Sequence, residues 1–218
     1  MYKDNTTEPE VARNLNCPVK RFHIINYLIE KYRFKRYLEI GVFTGENIRQ
    51  IKVEFKEGLD PGAEGVILPE VNYPITSDQF FELIKDYPEM KYDIIFIDGL
   101  HEYSQVRKDI QNCLKHVRPN GFVLLHDCNP ASYESQLPER KTVAWNGDVW
   151  RAIVEFRANN PHFESGVIDT DFGVGFIKNS SEKVVTTTET SSVDYQDFDS
   201  RRREYLNLMT FEEFQAVY

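Results

Sequence analysis

Tyr92-Asp93-Ile94-Ile95-Phe96-Ile97-Asp98-Gly99-Leu100-His101 holds the strand from which the rest of the chain can be read. Ile94 to Ile97 is an unbroken apolar run between two aspartates, as expected of a strand covered on both faces rather than one. Downstream, Tyr103, Val106, Ile110, Cys113, Leu114 and Val117 share one helical stripe. Pro119-Asn120-Gly121 stops that helix, and Phe122 to Leu125 reads as the next strand. Upstream, Tyr37 to Ile40 is a short buried strand ending at Gly41, and Val53 to Leu59 is another ending at Asp60-Pro61-Gly62. A weaker strand is expected within Val71 to Ile75. Helices are expected from Val19 to Phe34, Glu46 to Lys52 and Asp78 to Lys85.

Beyond Asp127 the pattern loosens. Residues 128–147 carry no periodicity, which in a compact domain suggests a lid or binding loop. Asp148 can cap a helix bearing Val149, Trp150, Ile153 and Val154. Ser165 to Ile168 and Gly173 to Lys178 read as an antiparallel pair turned at Asp169-Thr170-Asp171. Residues 180–200 are Ser/Thr-rich and acidic, the composition of a flexible excursion. A closing helix is expected from Arg201 to Val217. Residues 1–18 are polar and read as an irregular arm. The chain thus divides into an arm with its helix (1–34), a central domain (35–178) and a C-terminal excursion with a helix (179–218).

Strands alternating with helices imply an α/β fold, with a mostly parallel sheet covered by helices on both faces. In such sheets ligands bind beyond the carboxyl ends of the strands. Here Gly41, Asp60, Asp98 and Asp127 occupy those ends.

The composition narrows the partners. The chain has 218 residues, 41% of them hydrophobic, enough for one sizeable core. Against 35 Asp+Glu stand 26 Lys+Arg, a formal charge of −9, which disfavours nucleic acid or an anionic membrane as partner. No apolar run reaches the length of a membrane span, and the N-terminus lacks a signal peptide's apolar stretch. A soluble, cytoplasmic chain is expected, and a homo-oligomer is compatible with it. Cys17, Cys113 and Cys128 form no CxxC pair, so neither a zinc ribbon nor a disulfide framework is expected.

The strand ends carry the chemistry. Glu39-Ile40-Gly41-Val42-Phe43-Thr44-Gly45 has the form E-x-G-x-x-x-G between a strand and a helix. Phe43 stands where a dinucleotide fingerprint places its second glycine, so NAD and FAD are disfavoured. Glu39 suits a ligand that is cationic or rich in hydroxyl and amino donors. Asp60, 19 residues after Gly41, is placed to accept hydrogen bonds from two ribose hydroxyls, although Asp60-Pro61-Gly62 is also an ordinary turn.

Together, Tyr37 to Gly45, Gly58-Leu59-Asp60-Pro61 and Tyr92 to His101 resemble class I S-adenosylmethionine-dependent methyltransferases. They are similar in particular to a small bacterial group with an Ile-Asp-Gly-x-His strand end and a later His-Asp pair, here His126-Asp127. The resemblance covers about residues 35–178 and implies a Rossmann-like, seven-stranded sheet with an antiparallel last strand. It further implies that Glu39, Gly41, Thr44 and Gly45 surround the methionine part of S-adenosylmethionine. Asp60 would hold the ribose, Ser77-Asp78 would lie near the adenine, and Asp98 would border the cofactor. A looser similarity to catechol O-methyltransferase sets Asp98 and Asp127 at metal-ligand positions and His101 where a lysine base would stand. The third ligand position is Cys128, with Asn129 one residue further on.

The expected activity is methyl transfer to an oxygen of a small molecule or saccharide. His101, Asp98 and Asp127 are the catalytic candidates. Asp98, Asp127 and Asn129 would suit Mg²⁺, and His101 or His126 a softer divalent metal. The two carboxylates should converge, and would repel unless a cation, a proton or His101 stood between them. Two other readings compete: a metal-dependent oxygenase or hydrolase using His101, His126 and Asp127, and a non-catalytic cofactor-binding protein. Other side chains have plainer readings. His23 and His116 are expected at the surface, and Arg201-Arg202-Arg203 at a solvated helix start. Trp145, Tyr133 and Trp150 could wall an acceptor pocket or belong to the core.

Overall fold

In the computed structural model, which describes residues 2–62, 66–180, 185–186 and 193–218, seven strands form one sheet. In chain order they are β1 (Arg36–Ile40), β2 (Phe55–Leu59), β3 (Tyr92–Ile97), β4 (Val117–Leu125), β5 (Glu164–Ile168), β6 (Val174–Lys178) and β7 (Leu208–Met209). They lie in the order β2-β1-β3-β4-β6-β5-β7. β6 runs antiparallel to β4 and β5, and the other pairings are parallel. This is the Rossmann-like α/β architecture expected from the sequence.

Alternate residues of the central strands face two cores. Leu38, Ile40, Ile95, Ile97, Val123 and Leu125 meet Phe80 of α4 (Ser77–Ile84), Val106 and Ile110 of α5 (Tyr103–His116), and Trp150 and Ile153 of α6 (Val149–Asn159). On the other face, Tyr37, Ile94, Phe96, Phe122 and Leu124 meet Ile24, Ile25 and Leu28 of α2 (Arg21–Tyr32), Ile48 of α3 (Glu46–Gln50) and Phe214 of α9 (Phe211–Val217). Burial on both sides explains the unbroken apolar run of β3. Asp93 does not break that run because it binds locally. Its Oδ2 accepts the backbone N–H groups of Lys35 and Arg36, each at 2.8 Å, and its Oδ1 accepts from Arg118 at 3.0 Å.

Register positions the site. Leu59 pairs with Ile40, Ile40 with Ile97, and Ile97 with Leu125. Asp60, Gly41, Asp98 and His126 therefore stand side by side along one edge of the sheet. The antiparallel course of β6 returns Asp171 to the same edge, since Leu125 pairs with Gly175.

Several expectations are corrected. No strand forms over Val71 to Ile75. Tyr73 makes a single bridge to Leu59, while Gly58 exchanges hydrogen bonds with Asn72; Pro74 has no N–H with which to extend a ladder. The seventh strand is β7 instead, because the expected Arg201–Val217 helix breaks. α8 (Arg202–Leu206) ends at Asn207 in the left-handed conformation (φ 46°), and Thr210 caps α9 anew through Glu213. The arm also contains a helix, α1 (Pro9–Leu15), too short to show a period. Asp148 stands at the N-cap position of α6 as expected, but its side chain does not cap that helix: its Oδ1 accepts from Tyr103 N at 2.6 Å, at the start of α5. His116 is buried, with Nδ1 3.0 Å from Met90 O. Of the expected excursion, 181–184 and 187–192 lie outside the described residues, and α7 (Tyr195–Ser200) follows an Asp194 cap.

Residues 128–147 form no helix or strand, as expected, yet they are anchored. Asn5 exchanges two hydrogen bonds with the backbone of Ala144, and Lys3 bridges to Thr142. Arg202 donates to Pro130 O and Asn129 Oδ1, both at 2.7 Å. The Arg202 side chain is thus a clamp on this segment, not a solvated charge.

Candidate active site

The glycine loop meets the acidic strand end directly. Gly41 has φ +88°, and a Cβ there would stand 2.1 Å from the carbonyl oxygen of Asp98. No other residue fits that contact in that conformation. At Gly99, by contrast, a Cβ would meet nothing nearer than Ile40 at 3.5 Å, so the missing side chain leaves space beside the β1 end. Phe43 is largely exposed, with φ 45°. Its N–H donates to Asp60 Oδ2 at 2.9 Å, while Gly62 N donates to Oδ1 at 2.7 Å. Asp60 is therefore both a turn residue and a half-buried carboxylate with lone pairs to spare.

Glu39 is placed differently from the expectation of a direct ligand. Its carboxylate is buried, accepting from Tyr37 Oη at 2.6 Å and from Asn47 at 2.7 Å. Burial outweighs those bonds and raises its pKa to about 7. Thr44 is exposed, and Gly45 opens α3 at φ +77°. Ser77 is buried and Asp78 exposed; both accept from Gln105 Nε2, at 3.1 and 3.0 Å. Gln105 also donates to the buried Asp109 carboxyl, whose pKa burial raises to about 6.

Beside the glycine loop lies a cluster of three carboxylates. His101 sits between two of them, with Nε2 3.4 Å from Asp98 Oδ1 and Nδ1 3.4 Å from Asp127 Oδ2. Nδ1 is buried without a hydrogen bond. Burial opposes a charge on His101, but Asp127 and Asp98 outweigh it and raise its pKa above the ordinary histidine value. His126 Nδ1 lies 3.1 Å from Asp127 Oδ2 and 3.4 Å from Asp98 Oδ1. Its Nε2 lies 3.3 Å from Arg21 Nη1 and 3.6 Å from Asp171 Oδ2, accepting from the former when neutral and facing the latter when charged. Burial again opposes the charge, and the carboxylates again prevail, raising the His126 pKa well above normal. For Asp98, burial is outweighed by His126, His101 and Arg21, which hold its pKa far below the usual carboxylate range.

The loop after β4 shapes this cluster. Asp127 adopts φ 59°, which turns it from the strand direction, and Asn146 Nδ2 donates to its Oδ1 at 2.5 Å. Trp145 stacks on the His101 ring and is itself held by a 2.7 Å bond from Nε1 to Leu137 O. Gly147 (φ +63°) allows the loop to pass close to His101, since a Cβ there would stand 1.9 Å from its carbonyl oxygen. Trp150 belongs to the core, and Tyr133 is exposed. Asn129 lies outside the cluster: its Oδ1 accepts from Arg202 and its Nδ2 donates to Asp169 at 3.0 Å.

Two members were not singled out from the sequence. Arg21 approaches from the start of α2, 3.0 Å from Asp171 Oδ2 and 3.6 Å from Asp98 Oδ2. Asp171 also accepts the backbone N–H of Arg21 at 2.9 Å, and Lys20 lies 3.5 Å from its other oxygen. A signal existed. Lys20-Arg21 opens a helix whose first turn has no acid, contrary to the helix dipole, and such a mismatch calls for an external acid.

Asp98, His101 and Asp127 can each offer one ligand atom within 4.8 Å of the others, the spacing of a metal site. In this arrangement those atoms already face one another, His126, Arg21 or Asn146, so the donor set does not fit a cation as it stands. A cavity of about 500 Å³, lined by Tyr103, Trp150, Val154 and Tyr205 among others, shares no residue with the cluster.

The sheet order and the glycine loop beside an acidic strand end are those of a Rossmann-like methyltransferase fold. Within the chain, residues 38–128 match the family described as a methyltransferase domain. Solved structures share the fold. A Klebsiella pneumoniae protein assigned to the O-methyltransferases is 16% identical over 80% of this chain and 91% of its own, with a TM-score of 0.53. A Bacillus cereus O-methyltransferase in complex with S-adenosylhomocysteine is also 16% identical, over 78% and 85%, with a TM-score of 0.50. The MycE methyltransferase of the mycinamycin biosynthetic pathway, in complex with Mg and S-adenosylhomocysteine, is 17% identical over 88% and 57%, with a TM-score of 0.51. No curated protein sequence matches the chain.

Proposed function

We propose that this protein transfers the methyl group of S-adenosylmethionine to a hydroxyl oxygen of a small-molecule or saccharide acceptor, with His101 as the base. The observation that carries this reading is the placement of His101 between Asp98 and Asp127, next to the Gly41 loop. S-adenosylmethionine, when bound, supplies an electrophilic methyl group on a sulfonium leaving group. The Gly41–Gly45 loop and the space at Gly99 receive its amino-acid part, with Glu39 buttressing the loop from inside. Asp60 accepts from its ribose, and Ser77 and Asp78 border its adenine.

His101 takes the acceptor's hydroxyl proton as the oxygen bonds to the methyl carbon and the carbon–sulfur bond breaks, releasing S-adenosylhomocysteine. Nδ1 is buried, so Nε2 takes the proton, while Asp127 faces Nδ1 at 3.4 Å and stabilises the imidazolium. Alignment does much of the remaining work. No described helix is long and apolar enough to cross a membrane, and the net charge of −9 supports a diffusible small molecule over nucleic acid or lipid as partner.

Two measurements test this. Calorimetry should show S-adenosylmethionine or S-adenosylhomocysteine binding with micromolar affinity, about −8 kcal/mol. A panel of hydroxylated acceptors, followed by S-adenosylhomocysteine release, should then identify turnover that His101→Ala removes. Cofactor binding without turnover on any acceptor would favour a non-catalytic binding protein. Metal-dependent activity without the cofactor would favour an oxygenase or hydrolase.

A further inference from the structure

The acid cluster differs from a metal centre in one respect: it contains its own cations. All four oxygens of Asp98 and Asp127 face protein groups. Asp98 Oδ1 faces His101 Nε2 and His126 Nδ1, each at 3.4 Å, and Asp98 Oδ2 faces Arg21 Nε at 3.6 Å. Asp127 Oδ1 accepts from Asn146, and its Oδ2 faces His126 Nδ1 at 3.1 Å and His101 Nδ1 at 3.4 Å. The point between the two carboxylates where a shared ion would sit is held by His126 Nδ1.

Arg21 is the fixed charge in this arrangement. Its guanidinium spans from Asp171, at 3.0 Å, to Asp98, and its Nε is buried without a hydrogen bond. The backbone of Arg21 is fixed as well, through its N–H to Asp171. An arginine stays charged at any working pH. Mg²⁺ requires near-octahedral oxygen ligands and keeps several waters, and here it would have to enter beside a guanidinium and displace two imidazoles.

We propose that Arg21, with His126, takes the place of a divalent cation among Asp98, Asp127 and Asp171, so that this site works without a metal. Arg21 acts as a positioning residue: it neutralises the carboxylates so that they converge on His101. The part of this inference that concerns turnover rests on the methyl-transfer reading, while the part that concerns metal binding does not.

The test is a calorimetric titration with Mn²⁺ near neutral pH on the wild-type chain, Arg21→Met and Arg21→Lys. The wild type should show no one-to-one binding below about 1 mM. Arg21→Met, which keeps the side-chain length but loses the charge, should bind Mn²⁺ at least roughly tenfold more tightly. Arg21→Lys should behave like the wild type. With an acceptor in hand, wild-type turnover should be unaffected by chelator, and Mn²⁺ should restore turnover to Arg21→Met. A residue that merely supports the fold would not produce such rescue.

One-to-one Mn²⁺ binding by the wild type below that concentration would overturn the proposal, as would wild-type turnover abolished by chelator. An Arg21→Met chain that is folded by circular dichroism yet gains no affinity would overturn the assignment to Arg21. If that variant does not fold, the wild-type and Arg21→Lys titrations decide. Failure of the wild type to bind S-adenosylmethionine would count against the methyl-transfer reading and leave the metal result standing.

Discussion

The imidazole of His101 lies nearly parallel to the indole of Trp145, with ring centroids 5.0 Å apart and planes at 21°. The Nδ1 of His101 has no hydrogen bond and its Nε2 lies 3.4 Å from Asp98 Oδ1, so ring orientation depends on this stack and on the flanking carboxylates. Aromatic pairs contribute about 0.5–1.5 kcal/mol beyond their buried area. Trp145→Ala should therefore lower kcat by roughly 2- to 13-fold while leaving the S-adenosylmethionine Kd unchanged. Turnover and calorimetry on one preparation check both halves.

Removing the base itself should cost far more. His101→Ala is expected to lower turnover by roughly 10²–10⁴-fold. A base must be neutral to act, and the carboxylates raise the pKa of His101. The acidic limb of the wild-type kcat/KM profile should therefore lie above 6.5, the ordinary histidine value. A limb at or below that value would remove His101 from the role.

Gly41→Val should abolish cofactor binding. Its φ of +88° is strained for any side chain, and its Cβ would meet Asp98 O at 2.1 Å. The contact is with backbone, so no rotamer relieves it. Calorimetry should show no heat with S-adenosylhomocysteine, and full binding by the variant would refute the proposed cofactor position.

Stability should be greatest in mild acid. The lowered pKa values of Asp98 and Asp171 contribute stability above the ordinary value of 3.8, and that contribution is lost as pH falls through their folded values. The raised pKa values of His101 and His126 contribute below 6.5 and are lost as pH rises through theirs. Glu39 adds to the fall on the alkaline side, since its pKa rises from 4.5 unfolded to about 7 folded. That shift is worth about 3 kcal/mol across the window. Urea denaturation should therefore give a maximum near pH 4–5, and Glu39→Gln should flatten the decline between pH 5 and 7.

The N-terminal arm should govern access to the loop after β4. Asn5 is buried and makes two hydrogen bonds to the backbone of Ala144, at 3.1 and 3.0 Å. Asn5→Ala leaves those groups unpaired, at a cost of about 1–3 kcal/mol. Trypsin should then cut faster after the exposed Arg140 and Lys141. Unchanged cleavage would show that the loop is anchored elsewhere. Bound cofactor and acceptor should slow cleavage between Ala131 and Ala144 if the loop closes over the site.

The amino-acid sequence by itself determined the α/β sheet, because strands buried on both faces must be continuous in apolar residues, as Ile94 to Ile97 are. It also determined which residues end the strands, so Gly41, Asp60, Asp98 and the His126-Asp127 pair could be named before any distance was known. Hydrophobic periodicity is local and survives in one dimension. The edges of the sheet were harder to read. Val71 to Ile75 has strand-like residues but only one bridge, and Leu208–Met209 joins the sheet only because Asn207 breaks a helical pattern. Pairing depends on a neighbour that the local sequence does not contain.

Only the tertiary structure decided what surrounds the carboxylates. Arg21 and Asp171 are 150 residues apart and meet at 3.0 Å because β6 runs antiparallel and the N-terminus of α2 lies over the same sheet edge. Trp145 reaches His101 through a loop with no period to read. Glu39 looked like a ligand from its place in the motif, yet its carboxylate turns inward to Tyr37 and Asn47. A motif specifies where the backbone turns, whereas the direction and charge of a side chain depend on packing and on electrostatic partners from distant parts of the chain.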